Sequence, residues 1–222
     1  MNERRSGVRT DELFERIPWR IAALFAGVEY PWEVLNRVGE LLRYTDTSGL
    51  SEIGDGIYVG ENVSISPTAT LIGPLVIDAD SEIRPGAYLR GNVYVGKGCV
   101  VGNSSEIKGS VIMDEAALPH YNYVGDSVIG YRAHMGAGAI TSNLKSTGTS
   151  VVVHADKNYP TGRRKLGAML GDHAEIGCGA VLNPGTVIGR GSIVYPLTSV
   201  RGVIPSYSVM KGDGRITARK AD

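Results

Sequence analysis

The chain has 222 residues, with 23 Lys plus Arg balanced by 23 Asp plus Glu and 42% hydrophobic residues. That suits one large domain, or one domain with an appendage, and zero net charge without acidic or basic blocks argues against an electrostatic nucleic-acid or anionic-membrane partner. The opening Met-Asn-Glu-Arg-Arg carries no apolar stretch, no run is long enough to span a bilayer, and Cys99 and Cys178 form no CxxC pair, so a reduced, cytoplasmic protein without signal peptide is expected.

Residues 10 to about 45 have helical character. Thr10 is placed to cap Asp11-Glu12-Leu13, and Pro31 opens Trp32-Glu33-Val34-Leu35, with Val38, Leu41 and Leu42 completing an apolar stripe. From Val59 every sixth residue is aliphatic: Val59, Ile65, Leu71, Ile77, Ile83, Leu89, Val95, Val101 and Ile107. For ordinary composition such a run has chance odds on the order of one in 10⁵. Four places on in each hexad stand mostly small residues, among them Ala69, Ser81, Ala87, Cys99 and Ser105.

The repeat predicts an all-β solenoid, a parallel β-helix in which three hexads close one triangular coil. The aliphatic residue points inward, the small one fits near a corner, and glycines such as Gly60 and Gly102 follow the inward residue where the chain turns. Six to seven coils at about 4.8 Å each would give a prism roughly 30 Å long. The pattern breaks at Pro119-His120-Tyr121-Asn122-Tyr123, resumes with Ile129 and Met135, and returns as Leu170, Ile176, Leu182, Ile188, Val194 and Val200. An irregular segment at the break is expected to lift His120 out of the strand ladder. The insertion at 141–169 is expected to project outward, as long loops in compact domains usually serve function or a partner. Open coil ends need caps, for which the N-terminal helices and the tail after Pro205, with Tyr207, Met210 and Ile216, are the candidates. The division is therefore a helical cap or linker over 1–50, the β-helix over 51–205 with its insertion at 141–169, and a tail over 206–222.

Pro119-His120-x-x-Tyr123-Val124-Gly125-Asp126, then Gly136-Ala137-Gly138 and Asn143, resembles the acetyltransferase half of bacterial N-acetylglucosamine-1-phosphate uridyltransferases. "IRPGAYLRG" at 83–91 and "NSSEIKGS" at 103–110 extend the match. "TGRRKLGAMLGDHAEIGCGAVLNPGTVIGRGSIVYP" is similar to archaeal-type sugar-1-phosphate nucleotidyltransferases with the same acetyltransferase half, and "VEYPWEVLNRVGELL" to the linker that precedes their helix. The resemblance covers about residues 28 to 205. It implies a left-handed coil, a homotrimer with sites between prisms, and transfer of an acetyl group from acetyl-coenzyme A to an amino-sugar 1-phosphate or related amino sugar, without metal. No Gly-rich phosphate loop stands ahead of the linker, so pyrophosphorylase activity is not expected.

Acetyl transfer to an amine needs proton removal, an oxyanion held and the acceptor positioned. His120 suits the first task, since an ordinary imidazole accepts a proton near neutrality. The resemblance makes His120 and Asn143 catalytic-site residues, and Arg84, Lys108, Tyr123 and His134 substrate contacts, with Arg84 and Lys108 as the phosphate-binding pair. Both cations follow an inward aliphatic residue, and their 24-residue spacing puts them on neighbouring faces. The resemblance also places Ala137 and Cys178 along the coenzyme A groove. For its 3′-phosphate, Lys211, Arg215, Arg219 and Lys220 all remain candidates, and Arg163-Arg164-Lys165 reads first as a solvated basic turn, with a phosphate contact or an intersubunit salt-bridge patch as the alternatives. Departures stand at Thr149, where the family has a lysine, at His134, where it has asparagine, and at Leu144, which the archaeal type shares; Lys145 and Lys157 are possible substitutes for the missing lysine.

Two other readings compete. Zinc-dependent hexapeptide carbonic anhydrases need three histidines around one metal; His120, His134, His154 and His173 are spaced by 14, 20 and 19 residues, with no close pair. A non-catalytic trimeric scaffold or sugar-nucleotide-binding module would keep the fold without binding coenzyme A.

Overall fold

A computed structural model describes residues 7–220. Three sheets of nine, nine and seven strands wrap one interior, and from 57–59 to 208–210 the strands of the coil take the three sheets in turn. The pairing within each sheet is parallel except at the edge strands 51–54 and 216–218, which fold back antiparallel. This is the left-handed parallel β-helix of hexapeptide repeats. We call the sheet containing 57–59 face 1, that containing 64–65 face 2 and that containing 70–72 face 3.

The inward residues form one column of apolar packing. Ile77, Ile83, Leu89, Val95, Val101 and Ile107 are buried, as are Leu170, Ile176, Leu182, Ile188, Val194 and Val200. Fully burying each such side chain is worth about 1.5–3 kcal/mol. The corner positions hold Ala87, Cys99, Ser105, Ala116, Ala133 and Ala139, all buried.

The repeat does not stop at 119–123, which corrects the sequence expectation. Leu118 and Val124 are core residues on the same column, and Ala117–His120 is a strand whose His120 pairs with Asn103. The phase slips elsewhere. Ile112 follows Ile107, and Ile129 follows Val124, by five residues instead of six, each time at the corner from face 3 to face 1. Counting strictly by six past Ile107 therefore lands on Met113, Pro119 and Gly125, one residue off the true register.

Face 1 is buried on both sides, and its strands 75–77, 93–95, 168–170 and 186–188 are buried at every residue. Apolar runs of this kind are what a doubly covered parallel sheet requires. Its cover is the N-terminal segment, a string of short turns including Thr10–Leu13, Ala22–Phe25, Pro31–Val34 and Leu35–Val38. Leu13, Ile21, Leu24, Trp32, Val34 and Leu41 pack on Val76, Tyr94, Val111, Val128 and Val187. Thr10 does not cap the first turn. Its hydroxyl donates to the Glu29 carbonyl at 3.1 Å, and Arg9 occupies the cap position. Arg20 Nε donates to Asp78 Oδ2 at 2.9 Å, with both side chains about nine-tenths buried, and fastens the segment to the coil.

The insertion does not project outward. Its hairpin, Val152–His154 against Asn158–Pro160, lies back over face 1. Val151, Val153, Tyr159 and Leu166 are buried beside the N-terminal segment, and the Tyr159 ring meets Trp32 edge-on at 6.2 Å. Four apolar side chains in one insertion are enough to draw it down. The helical segment thus covers a flank of the prism, while the tail strand Ile216–Ala218 pairs along Ser208–Met210 at the end of face 2.

Candidate functional site

The edge between faces 2 and 3 carries the features that set this chain apart from a plain coil. From the second level on its corners carry a left-handed residue, running through Gly86, Ser104, Tyr121, Gly138, Gly179 and Leu197. Hydrogen bonds stack them: Gly138 N donates to His120 O at 3.0 Å, Gly179 N to Ala137 O at 2.8 Å, and Leu197 N to Cys178 O at 2.9 Å. His120, Ala137 and Cys178 therefore occupy successive rungs, about 4.8 Å apart. All three are exposed. Tyr121 and Leu197, 64% and 85% exposed, bound the stretch, and between them the floor is glycine. A thin ligand can lie along it.

A buried asparagine holds the histidine turn. Tyr121 has φ 52°, unusual for a bulky side chain. Asn122, 2% exposed, accepts the His120 amide at 3.1 Å on Oδ1 and donates through Nδ2 to the carbonyls of Gly136 and Ala139 at 2.9 and 3.1 Å. A side-chain amide thus ties two rungs of the edge together. Sequence reasoning did not single out Asn122, although a polar side chain at a corner position otherwise filled by Ala, Ser or Cys was the available signal. Gly102 on the rung below is compulsory: a Cβ there would lie 1.6 Å from Pro119 O.

Face 3 adjoins this edge and carries the charged cluster. Register puts Arg90 beside Lys108, and Tyr88, Glu106 and Tyr123 side by side on the parallel column. Arg90 Nε donates to Glu106 Oε1 at 2.8 Å. Lys108 Nζ donates to Asp126 Oδ2 at 3.2 Å, and Asn143 Nδ2 donates to the same oxygen at 2.6 Å. Asp126 is 6% exposed, so its carboxylate is the buried hub for both. A Cβ on Gly125 would stand 2.6 Å from the Tyr123 hydroxyl and 2.7 Å from Asn143 Nδ2, so both side chains cross over bare backbone. Burial, then the negative charges of Glu106 and Asp126, push the Tyr123 phenol up, while the Asn143 hydrogen bond opposes them.

Lys108, Tyr123 and Asn143 are thus brought together, and Arg84 is not with them. It lies on face 2, paired with Glu82 at 2.9 Å. The neighbouring-face geometry read from its spacing holds, but the cation beside Lys108 is Arg90, one coil of 18 residues earlier. His134 is on face 2 with Nδ1 2.9 Å from Glu175 Oε2, a contact that raises its pKa. Thr149 is exposed and hydrogen-bonded to Thr147, Lys145 Nζ donates to Ser150 O at 2.7 Å, and Lys157 lies over the Tyr159 ring.

Arg163 joins no solvated turn. Its Nη1 donates to Asn36 Oδ1 at 2.7 Å and its Nη2 stands 3.9 Å from Asp126, and burial lowers its pKa. Of the C-terminal cations, register continues the rung series Gly136, Gly177, Tyr195 to Lys211. Arg215 pairs with Asp213 at 2.6 Å. Arg219 and Lys220 line a cleft of about 620 Å³ on another edge, with Glu15, Asp172 and Arg190. His154 contacts Asn158 and His173 packs on Tyr131. Among the described residues no three His, Cys, Asp or Glu side chains stand together as a metal site, and no helix is long and apolar enough to cross a membrane.

The family described as the GMPPB C-terminal domain matches residues 71–158. A bifunctional protein GlmU of Methanococcus maripaludis strain C5 is 35% identical over 173 residues, which are 75% of this chain and 42% of that protein. A bifunctional sugar-1-phosphate nucleotidylyltransferase/acetyltransferase of Sulfurisphaera tokodaii is 35% identical over 162 residues, 64% of this chain and 40% of its own. Among solved structures, a point mutant of AntD, an N-acyltransferase from Bacillus cereus in complex with dTDP and coenzyme A, aligns with TM-score 0.47 at 20% identity, covering 78% of this chain and 91% of that one. The chain spans about two fifths of the length of the named sequence relatives, and it is a homologue of the C-terminal half of these bifunctional GlmU and sugar-1-phosphate nucleotidylyltransferase/acetyltransferase proteins.

Proposed function

We propose that this protein is an acyltransferase that moves the acetyl group of acetyl-coenzyme A to the amine of an amino-sugar phosphate or related amino sugar. The observation that carries the reading is the stacking of His120, Ala137 and Cys178 on one edge, beside a face where Lys108, Tyr123 and Asn143 converge. The pantetheine arm follows the edge. The amides of Ala137 and Cys178 take no part in the rung hydrogen bonds, which run through Gly136, Gly138, Gly177 and Gly179, and so are open to it. Lys211 lies four rungs beyond Pro119, about 19 Å at the usual spacing, and is the cation we assign to the far phosphate of the donor.

The acceptor ammonium first gives one proton to water, and His120 takes a second from the nitrogen as the freed amine attacks the thioester carbonyl. The resulting oxyanion collapses, the C–S bond breaks, and the imidazolium passes its proton to the leaving thiolate. Asn122 fixes the turn that aims His120, while Asn143 and Tyr123 orient the acceptor. The edge is convex in one chain, so a second prism is needed as the other wall, and we propose a homotrimer with three such clefts. Two unpaired cysteines fit a reducing cytoplasm.

The test is acetyl-coenzyme A consumption with a panel of amino-sugar 1-phosphates, in the wild type and in His120→Ala. Turnover with at least one sugar, falling by roughly 10² to 10⁴ in the variant, is expected for a lost general base. No turnover with any sugar, together with no coenzyme A binding, would overturn the proposal in favour of a trimeric scaffold.

A further inference from the structure

The insertion rejoins the coil beside the Asp126 hub, and one of its cations reaches that carboxylate. Arg163 Nη2 stands 3.9 Å from Asp126 Oδ1, on a side chain only 21% exposed. Among the described residues it is the cation of the insertion that has an acidic partner, since Lys145 donates to Ser150 O and Lys157 lies over the Tyr159 ring. Four contacts hold it there. Nη1 donates to Asn36 Oδ1 at 2.7 Å, Nε to Lys165 O at 3.3 Å and the Arg163 amide to Thr161 Oγ1 at 3.2 Å, while the Arg163 carbonyl accepts the Val151 amide at 2.8 Å. Asn36 belongs to Leu35–Val38, whose Leu35 and Val38 are buried in the cover of face 1. The guanidinium is therefore carried by the cover and the insertion, and not by the coil.

The hub thus has two cations for one carboxylate. Lys108 is the nearer, with Nζ 3.4 and 3.2 Å from the two Asp126 oxygens. Both distances are long for charged partners, which settle at about 2.7–2.9 Å. A flexible ammonium held so loosely turns readily to a dianion. What opposes the move is Asp126 itself: at 6% exposure its carboxylate would be stranded, and breaking a buried pair from one side is strongly unfavourable. Arg163 removes that obstacle. A movement of about 1 Å brings Nη2 to ordinary hydrogen-bond length from Oδ1, while Asn143 Nδ2 keeps Oδ2 at 2.6 Å. The neighbouring Glu106 has no such reserve, for Arg90 is its one ion-pair partner among the described residues.

We infer that Arg163 is a positioning residue of the acceptor site: when the acceptor phosphate draws Lys108 away, Arg163 takes over Asp126, so that Lys108 meets the phosphate as a free cation. The inference rests on the reading of Lys108 as a phosphate contact of the acceptor, and it is tested without turnover. The probe is glucose 1-phosphate, a sugar phosphate without an amine, with coenzyme A as the reference ligand. Both are titrated calorimetrically into the wild type, Arg163→Met, Arg163→Lys, Asp126→Asn and the double variant Asp126→Asn/Arg163→Met. Glucose 1-phosphate should bind saturably, about tenfold or more weaker in Arg163→Met and about threefold or less weaker in Arg163→Lys, which keeps the charge. In the Asp126→Asn background the Arg163→Met change should alter binding by less than about twofold, because no carboxylate is left to take over. Coenzyme A affinity should not follow Arg163, whereas a merely structural role would lower both affinities together.

Unchanged glucose 1-phosphate binding in Arg163→Met, a loss in Arg163→Lys as large as in Arg163→Met, an equal loss in both backgrounds, a parallel loss of coenzyme A affinity, or no saturable binding to the wild type would each overturn the inference. A wild type that binds glucose 1-phosphate but not coenzyme A would overturn the acyl-transfer reading and leave this one to the variants. A crystal structure of the wild type with glucose 1-phosphate needs no variant to fold. It should show Lys108 Nζ on the phosphate and Arg163 Nη2 closed onto Asp126; Lys108 still on Asp126 would overturn the inference as well.

Discussion

Replacing Asp126 by asparagine isolates what the buried hub contributes. The carboxylate side chain is 9% exposed, accepts from Lys108 at 3.2 Å and Asn143 at 2.6 Å, and has Arg163 at 3.9 Å. Asparagine keeps the shape and one acceptor but removes the charge, and its amide hydrogens then face two cations. A hydrogen bond to a charged group contributes about 1.5–3 kcal/mol, and breaking a buried pair from one side costs up to about 3–5. Lys108 is itself 25% exposed and can turn toward water, so a cost of about 3 kcal/mol is the working figure. For a chain of this size that lowers Tm by about 6–12 °C. Differential scanning calorimetry reads it, together with Lys108→Met and the double variant. The pair should be less than additive by about 1 kcal/mol or more, because each single change strands the other partner. A Tm loss under about 2 °C, or strict additivity, would refute the claim that Asp126 holds Lys108 in place.

Gly102→Ala should cost about 2–4 kcal/mol, since its Cβ would overlap Pro119 O at 1.6 Å and the backbone has to move. Because that carbonyl precedes His120, activity should fall at temperatures where the variant remains folded; full activity there would show that the rung below does not set the histidine. Tyr94 is fully buried with no partner for its hydroxyl, so Tyr94→Phe should be neutral or stabilise by about 1–2 kcal/mol, and a lower Tm would reveal a missed partner. The His134 contact with Glu175 raises the folded-state pKa above the unfolded value. Its stabilisation is therefore complete below about pH 6.5 and is lost as pH rises through the folded value. The Tm difference between wild type and His134→Gln should shrink from about pH 5.5 to about pH 8.5, a window set by that ordinary value; a constant difference would remove the ion pair.

The coil was legible because one side chain in six must be aliphatic to fill a triangular interior, and that constraint survives any surface chemistry. Corner lengths are not under the same constraint. The interior residue stays aliphatic whether the corner takes five residues or six, so the slips before Ile112 and Ile129 looked like a break at Pro119. The cover on face 1 could have been read from Leu75-Val76-Ile77 and Val93-Tyr94-Val95, where the outward residue is apolar too. The candidate site was legible in its motif residues, and less so in its partners. Arg84 was named because it matches the family's phosphate-binding arginine, and counting one coil of 18 residues back from Lys108 would have added Arg90, its neighbour in the ladder. Asp126 and Asn122 act through burial, which spacing does not report.

The covered flank also limits where chemistry can occur. Face 1 is enclosed by the N-terminal segment and the insertion, packed through Trp32, Val151, Val153 and Tyr159, so ligands or another prism meet the coil on faces 2 and 3 and at its edges. On the edge between faces 2 and 3 the large side chains are exposed, Tyr121, Tyr195 and Leu197 at 64%, 45% and 85%. Apolar surface concentrated beside the proposed catalytic histidine is what a water-excluding contact with a second copy would bury. Packing the edge in this way would dry the His120 cleft and leave the cluster of Lys108, Tyr123 and Asn143 on face 3 as the polar side of the same surface. Leu197→Glu would put a charge into that contact. It should shift the assembly toward single chains and abolish turnover while leaving the coil folded, with light scattering and circular dichroism as the two readouts. An assembly unchanged by the substitution would place the partner elsewhere and leave the edge as the open groove of a single prism.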